Sequence, residues 1–301
     1  MKLTRTANNA AVPIELNAVI VAVADGEPYL LTGEGQGLPS GPFESGHRTL
    51  EQGLRAWARR KGARNLGYVE QLYTFADVGR TSAGCRSVSI GYLALVHDGD
   101  EALGTTWSPW YKHLPWEDHR DGKPRIIAQS IMPALAAWKN KASGAAEKRA
   151  RAERIGIAFP SDVRQWNDEL VLQRYELLWE AGLVAEAGRA KNGLGLPMPY
   201  DHRRILATAM ARLRAKIKYR PVVFELLPPQ FTLLQLQTTV EALAGLRLHK
   251  QNFRRLVETQ RLVEETGAVT RGASGRPAKL FSFRRKVLQE RAAAGTKLPR
   301  S

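Results

Sequence analysis

The amino-acid sequence predicts a protein of the α+β or α/β class with two domains. β-Rich segments and a single helix alternate over the first hundred residues, which is typical of a layered sandwich. Helical periodicity then dominates over about 125–190 and predicts a helical extension of this sandwich. The segment NGLGLPMP at 192–199 concentrates glycine and proline, which interrupt regular structure. We therefore predict a first domain over 1–200 and a smaller second domain over 201–301.

The first domain is predicted to open with a β-hairpin. From Ile14 the sequence IELNAVIVAVADGEPYLLTG contains two β-rich runs separated by Asp25-Gly26, a dipeptide typical of two-residue hairpin turns. The segment from Thr105 to Pro124 is rich in tryptophan and proline, which predicts an irregular surface loop. The other predicted elements are a helix at about 48–61, strands at 69–77 and 87–99, and helices at 126–142, 144–154 and 168–188.

Three helices are predicted in the second domain. Asp201 is the expected N-cap of the first, in which apolar residues recur every four positions. Thr232 is the expected N-cap of the second, and Gly245 is a suitable residue to end it. The apolar stripe of the first helix consists of Ile205, Ala209, Leu213 and Ile217. The third helix is predicted at 248–259, with buried Phe253, Leu256 and Val257.

Short β segments complete the second domain. VVFELL, which ends before Pro228-Pro229, predicts a short β run. AVTR at 268–271 and KLFSF at 279–283 predict two strands that enclose the loop GASGRP. Three helices followed by a basic hairpin predict a winged helix-turn-helix.

The positive charge of the chain is concentrated in its last third. Residues 201–301 contain 21 Lys and Arg against 7 Asp and Glu, whereas residues 1–200 contain 24 against 22. A nearly neutral body joined to a strongly basic module predicts a polyanionic partner, with nucleic acid first and an acidic membrane surface second. The alternative is a basic surface that only keeps the protein in solution.

Composition also limits the compartment and the kinds of site. No run approaches the roughly 18 apolar residues of a membrane span, and the N-terminal segment lacks an export signal, so we expect a cytoplasmic protein. The only cysteine, Cys85, cannot form an intrachain disulfide and has no companions for a structural zinc site. The six histidines are scattered, so no metal site and no required cofactor is predicted.

The third helix of the second domain is the predicted DNA-reading element. A helix enters the major groove when one face packs on its own domain and the other offers hydrogen-bonding groups to base edges. Amide side chains suit adenine, and basic ones suit guanine or phosphate. The alternative is an ordinary solvated helix face. The predicted DNA-binding residues are Thr232, Lys250, Gln251, Asn252, Arg254, Arg255, Arg271, Arg276 and Lys279.

A glycine and helix pattern near the N-terminus resembles the Nudix box, G-x5-E-x7-R-E-U-x-E-E-x-G-U. Starting the pattern at Gly41 places its arginine on Arg55 and its second glycine on Gly62. Bulky positions fall on Trp57 and Ala63. The four acidic positions fall on His47, Ala56, Arg59 and Arg60. In Nudix hydrolases these glutamates hold divalent cations, which prefer carboxylate oxygens, so the resemblance implies a domain without the enzyme activity.

A domain that lacks the metal-binding glutamates can still bind a nucleotide diphosphate. Arg59 and Arg60 lie one turn beyond Arg55 and could neutralise a diphosphate directly. The predicted effector-binding residues are Arg55, Arg59, Arg60 and Tyr73. The alternative is that Arg59 and Arg60 belong to a solvated helix face.

The order of a degenerate Nudix domain and a winged helix is similar to the Nudix-related transcriptional regulators of NAD metabolism, the NrtR family, in its NadQ branch. The resemblance implies a repressor of NAD synthesis genes that senses a nucleotide such as ADP-ribose, NAD or ATP. It also implies a homodimer on a palindromic operator. The segments that carry the resemblance are QLYTFADVGR (71–80), SVSIGYLALV (87–96), WSPWYKHLPWEDHRDGKP, DHRRILATAMARLRAKIKY (201–219) and FELLPPQFTLLQLQTTVEALAG (224–245).

Two other functions are compatible with parts of this sequence. An active Nudix-type pyrophosphatase with a basic nucleic-acid-binding tail would need carboxylates near the box, where only Glu44 and Glu51 lie between Gly41 and Gly62. An RNA-binding adaptor would need exposed aromatic residues for base stacking. The phenylalanines of the second domain are instead expected in its core.

Overall fold

The first domain is built on a six-stranded mixed sheet. The computed structural model describes residues 12–60, 66–77, 87–97, 105–188, 193–270 and 277–287. The strands are β1 (Ile14–Ala24), β2 (Glu27–Thr32), β3 (Ser40–Pro42), β4 (Val69–Phe75), β5 (Val88–Leu95) and β6 (Thr106–Pro109). Their order is β4-β5-β1-β2-β6, and β3 also pairs with β1. Only the β1–β5 pair is parallel among these strands.

The predicted hairpin is confirmed. β1 and β2 pair antiparallel, and the two residues between them are Asp25 and Gly26. Both have positive φ, 51° and 75°, as a type I′ turn requires. The turn chemistry of the sequence therefore fixes the register of the first two strands.

Helices cover both faces of the sheet. Helix α1 (Leu50–Arg60) packs Leu54 and Trp57 against one face, where Leu16 and Ile20 point toward it. The opposite face carries the alternate residues of β1 and β5, including Val19, and belongs to a larger core shared with the later helices. The predicted α/β sandwich is therefore confirmed.

The tryptophan-rich segment is not the predicted surface loop. It forms β6, a short helix α2 (Trp110–His113) and a 3₁₀ turn at Pro115–Glu117. Trp110 and Trp116 are fully buried in the larger core. The prediction was wrong because prolines that interrupt regular structure do not imply exposure, and indole rings remove a large apolar area from water.

The predicted helical extension is present. A π-helical turn at Ile127–Ile131 continues into α3 (Met132–Asn140), and α4 (Ala145–Ala158) and α5 (Val171–Glu180) follow. Helix α5 packs on α6 (His202–Ile217).

Helix α6 contacts both halves of the chain. It packs against β1, β4 and β5 of the sheet and against the helix that follows it. Ile205, Ala209 and Leu213 are fully buried, as its apolar stripe predicts. Asp201 occupies the N-cap position, but its side chain makes no capping hydrogen bond, which corrects the expected cap. The domain boundary at residue 200 remains a prediction.

The C-terminal part forms a helical pair and a two-stranded wing, which we call the winged domain. Its elements are α7 (Leu233–Ala244), α8 (Lys250–Thr259), β7 (Val263–Val269) and β8 (Lys279–Phe283). The first wing strand begins at Val263, five residues before the predicted one. The predicted β run VVFELL is wrong, because Val222–Leu226 forms a 3₁₀ turn that buries Val223 and Leu226. Tertiary burial here outweighs the β propensity of valine.

Leu256 is the second correction in this part. It is 51% exposed, whereas Phe253 and Val257 of the same helix are buried as predicted. Leu256 lies at an apolar cavity of about 330 Å³ that Val240 and Phe253 also line.

Within the described residues, no helix is long and apolar enough to cross a membrane.

Candidate functional site

The outer face of α8 presents polar and basic side chains to solvent. Phe253 and Val257 anchor the inner face in the core. The exposed residues are Lys250, Gln251, Asn252, Arg254 and Arg255. One helix face thus offers amide groups near its N-terminal end and guanidinium groups farther along, which is the combination that major-groove contact needs.

Thr232 has a structural role at the start of α7. Its hydroxyl oxygen accepts a hydrogen bond from the Gln235 amide (3.1 Å), and its own amide donates to the Gln235 side chain (2.8 Å). This reciprocal pair is a capping box. The structure therefore places Thr232 at a helix cap, and contact of this residue with DNA stays a prediction.

The turn between α7 and α8 is held by two buried side chains. Glu241 accepts from the Leu248 amide (3.0 Å) and from Gln237 (2.8 Å), and Gln237 also donates to the Leu248 carbonyl (3.0 Å). Burial raises the pKa of Glu241, but these donors and Arg247 outweigh it and hold the pKa below its usual range. The carboxylate therefore stays charged and fixes the start of α8. Helical periodicity gave no signal for this role.

The wing contributes fewer described cations than predicted. Lys279 lies on β8 and pairs with Glu265 at 2.9 Å, where both side chains are exposed. Arg271 and Arg276 lie outside the described residues. Arg285 and Lys286 follow β8 and are exposed. Sequence reasoning missed these two, although the run Arg284 to Lys286 could have shown them.

The arginines of α1 differ in their surroundings. Arg55 donates to Glu51 (2.9 Å) and to the carbonyl of Leu66 (2.9 Å), so its guanidinium ties the helix to the segment before β4. Arg60 lies 3.5 Å from Glu44. Arg59 is exposed. The three guanidinium groups belong to one helix, but only Arg59 has no ion pair among the described residues.

Tyr73 is not brought together with these arginines. It lies on β4 at a break in the register between Gln71 and Thr74. Its ring stacks with Arg212 of α6, with the guanidinium 5.8 Å from the ring centroid. Tyr73 therefore contacts α6, which packs on the face of the sheet opposite to α1, and its part in effector binding stays a prediction.

The box positions that the structure describes include glycines and a tryptophan with packing roles. A side chain on Gly41 would come within 2.2 Å of the Trp57 ring, so this glycine allows the tryptophan to pack. His47 lies against Gly53, where a Cβ atom would be 2.9 Å from the imidazole. The described residues contain no group of three His, Cys, Asp or Glu side chains that could hold a metal ion. Gly62 and Ala63 lie outside the described residues, as does Cys85.

Comparison with known proteins finds a family model that matches the winged domain. Residues 223–290 match the family model of the NrtR DNA-binding winged helix domain. The matched range contains α7, α8, β7 and β8, so the predicted winged helix-turn-helix is confirmed. A curated relative, the ADPR responsive transcriptional repressor NtrR of Acinetobacter baylyi, is 39% identical over 93 residues. These residues are 31% of this chain and 37% of the relative, so the match spans little more than a third of that protein.

Solved structures extend the likeness to most of the chain. Shewanella oneidensis NrtR complexed with a 27mer DNA aligns with 92% of this chain and 95% of its own, with a TM-score of 0.55 and 20% identity. A MutT/nudix family protein from Enterococcus faecalis covers 91% of this chain and 87% of its own, with a TM-score of 0.52 and 15% identity. At these identities the likeness establishes the fold, a Nudix-like sandwich followed by a winged helix. Together with the winged-helix match and the curated relative, this fold confirms the predicted resemblance to NrtR, and the NadQ branch stays a prediction.

Proposed function

We propose that this protein is a DNA-binding transcriptional repressor of NAD biosynthesis genes whose Nudix-like sandwich senses ADP-ribose. The observation that carries the proposal is the outer face of α8, which exposes two amide and three basic side chains on a winged domain of the NrtR type. The matched relative is ADPR responsive, which favours ADP-ribose over NAD or ATP as the first effector to test.

The proposed DNA contacts divide by chemistry. Gln251 and Asn252 in the first turn of α8 face base edges, and adenine is the base that a planar amide recognises with two hydrogen bonds. Lys250, Arg254 and Arg255 contact guanine or phosphate oxygens. Because NrtR-type domains are expected to act as a dimer, we propose a palindromic operator whose half-sites lie about one helical turn apart.

The proposed effector contacts begin with Arg59. Its guanidinium is exposed and has no ion pair in the described part of the chain, so it can bind a diphosphate without breaking an existing contact. Arg60 would exchange a half-exposed pair with Glu44 for the ligand, at little cost. Arg55 and Tyr73 would require a second subsite or a movement of the β4 edge.

The sandwich is proposed to bind its nucleotide without hydrolysing it. Of the carboxylates between Gly41 and Gly62, Glu51 is paired with Arg55 and Glu44 with Arg60. Arg59 and Arg60 stand at two of the acidic positions of the box, and their positive charges repel a divalent cation. The competing function, a Nudix-type pyrophosphatase with a basic tail, predicts magnesium-dependent turnover of ADP-ribose.

The deciding experiment is a fluorescence-anisotropy titration of the protein against the promoter of an NAD synthesis operon. ADP-ribose, NAD and ATP are added in turn, and an unrelated duplex of equal length is the DNA control. We expect saturable binding to the promoter that ADP-ribose changes. Equal affinity for both duplexes would refute the proposal that the protein is a sequence-specific repressor of this promoter.

A variant pair tests the effector site. Arg59→Glu with Arg60→Glu should abolish the ADP-ribose response, and Lys148→Glu with Arg149→Glu, on the exposed face of α4, is the control of equal charge change. Calorimetry then measures ADP-ribose binding by each protein. Unchanged affinity of the double variant would exclude these arginines, and magnesium-dependent cleavage of the diphosphate bond of ADP-ribose would favour the pyrophosphatase.

A further inference from the structure

The end of α7 rests on groups that lie outside the winged domain. The Tyr111 hydroxyl donates to the carbonyl of Ala242 (2.7 Å), and Arg214 donates to that of Leu243 (3.1 Å). The amide of His119 donates to the carbonyl of Gly245 (2.8 Å). The last carbonyls of a helix have no partners within it, and the negative end of the helix dipole favours a cation there. Residues of the first part of the chain therefore complete α7.

Arg214 is itself held by a buried ion network. The carboxylate of Glu117 accepts from Arg214 at 2.7 Å and from Arg174 at 2.6 and 2.9 Å. All three side chains are fully buried. Arg214 also donates to the carbonyl oxygens of Asp168 (3.1 Å) and Glu117 (3.0 Å). The hydrogen bonds of the Arg214 guanidinium are directional. The position of this group therefore determines the position of the C-terminal end of α7.

The segment that carries Tyr111 and Glu117 is joined to the sheet. It follows β6, which pairs with β2. Arg120 then donates to the carbonyl of Gly26 (2.7 Å) in the β1–β2 turn and to the carboxylate of Glu27 (2.8 Å). The segment is thus fixed to the same sheet edge at both of its ends.

The path continues from α7 into α8 without a flexible joint. Gly245 has a φ of 68°, and a Cβ atom there would lie 2.5 Å from the carbonyl oxygen of Glu117. Glu241 and Gln237 then hold both backbone groups of Leu248, two residues before α8. An unbroken series of hydrogen bonds therefore links the β1–β2 edge of the sheet to the start of the DNA-reading helix.

We propose that Tyr111, Glu117 and Arg214 are positioning residues that couple the sandwich to the orientation of α8. The inference rests on the proposed function, because it concerns how a ligand in the sandwich changes operator binding. A buried ion network contributes little stability over apolar packing, whereas its directional bonds select one orientation of the groups that it joins. A displacement of the sheet edge would thus move α7 and α8 together.

Tyr111→Phe tests the coupling with a minimal change. The phenyl ring keeps the edge contact with Trp110, whose centroid is 5.7 Å away, and the position of Arg120 over the ring at 5.2 Å. The change removes the hydroxyl, its bond to the carbonyl of Ala242 and the weaker hydrogen bond that it accepts from Arg214 (3.3 Å). A net hydrogen bond of ordinary strength corresponds to about a fivefold change in an equilibrium, so we expect the ADP-ribose effect on operator affinity to fall about fivefold. In the absence of DNA, the affinity for ADP-ribose should stay within about twofold of wild type, because coupling to the operator acts only when both ligands are bound.

Tyr68→Phe is the matched control. The Tyr68 hydroxyl donates a hydrogen bond to Glu70 (2.8 Å) and accepts one from Lys216 (2.7 Å). Within the described residues, none of these three side chains forms a hydrogen bond with α7. This variant should keep the ADP-ribose effect. An equal loss in both variants would assign the result to general loosening and overturn the positioning role.

Hydrogen exchange separates failure of this inference from failure of the proposed function. Amides of the turn from Gly245 to Lys250 should exchange faster in Tyr111→Phe than in wild type or in the control, with or without DNA. Unchanged exchange would overturn the inference, and so would faster exchange with an unaltered ADP-ribose effect. A wild-type protein that binds the promoter but ignores ADP-ribose would instead overturn the effector part of the proposed function.

Discussion

Replacement of Glu117 by glutamine should destabilise the protein strongly. Glutamine has nearly the shape of glutamate, so the change removes the charge with little effect on packing. Arg174 and Arg214 would then remain fully buried with no carboxylate between them. The perturbation isolates the electrostatic role of one side chain.

The magnitude follows from the distances. The carboxylate oxygens lie 2.6 to 2.9 Å from three guanidinium nitrogens on two arginines. Removal of one partner of a buried ion pair costs about 3–5 kcal/mol, because the remaining charge is uncompensated. The remaining bonds from Arg214 to backbone oxygens limit the loss, so we expect about 3–5 kcal/mol and not the sum of two pairs.

The difference in stability between wild type and Glu117→Gln should depend on pH. Burial raises the pKa of Glu117, but the charges of Arg174 and Arg214 outweigh it and hold the pKa below its usual value of 4.5. A carboxylate with a lowered pKa in the folded state stabilises the protein above the pKa of the unfolded chain. That contribution disappears as the pH falls through the folded value. The difference between wild type and variant should therefore be full at pH 7 and shrink below about pH 4.5.

Urea unfolding at pH 7 and pH 4 measures both effects. Glu153→Gln, an exposed substitution on α4, is the control and should change the free energy of unfolding by less than about 0.5 kcal/mol. If Glu117→Gln cost less than about 1 kcal/mol at pH 7, the network would not hold buried charge in the manner that these distances indicate.

Three further predictions concern packing, titration and DNA binding. Gly41→Ala should cost about 1–3 kcal/mol in urea unfolding, because its Cβ atom would lie 2.2 Å from the Trp57 ring, whereas Gly46→Ala meets nothing within 4 Å and serves as control. Burial lowers the pKa of His202 to about 4, so its contribution to stability should be constant above about pH 6.5 and fall between pH 6.5 and 4, and His202→Gln should flatten that part of the profile. Arg254→Ala should lower the slope of log affinity against log salt by about 0.9 if this residue neutralises one phosphate, as salt titration of promoter binding will show.

Local sequence signals predicted the elements whose ends depend on backbone chemistry. The hairpin followed from Asp25-Gly26, because few residues adopt two successive positive φ values. The limits of α7 followed from Thr232, which caps it, and Gly245, which ends it in the left-handed conformation. These signals lie within a few residues of the structure that they specify.

The errors arose where distant parts of the chain decide. Trp110, Trp116 and Glu117 of the Thr105–Pro124 segment are buried because parts of the chain that are distant in sequence pack on them, and no local pattern shows such neighbours. Leu256 matches the helical period, yet it faces the rim of a cavity and not the core. The contact of Tyr73 with Arg212 of α6 also depends on tertiary packing that no local pattern shows, and the role of Tyr73 in effector binding stays a prediction.

The net charge after residue 200 does not show which of its basic side chains are already paired within the protein. The excess of basic residues after residue 200 predicted a polyanion partner, but most cations of α6 face the first part of the chain. Arg203 is buried against Glu186, Lys216 pairs with Glu70 and Lys218 with Asp168. These charges hold α6 and the residue after it to the first part of the chain and are unavailable to DNA. After residue 200, the exposed cations that form no ion pair within the described residues are Arg220 and, on or beyond α8, Lys250, Arg254, Arg255, Arg261, Arg285 and Lys286. The surface proposed for DNA is therefore smaller than the net charge implies, and it coincides with the helix whose orientation the buried network sets.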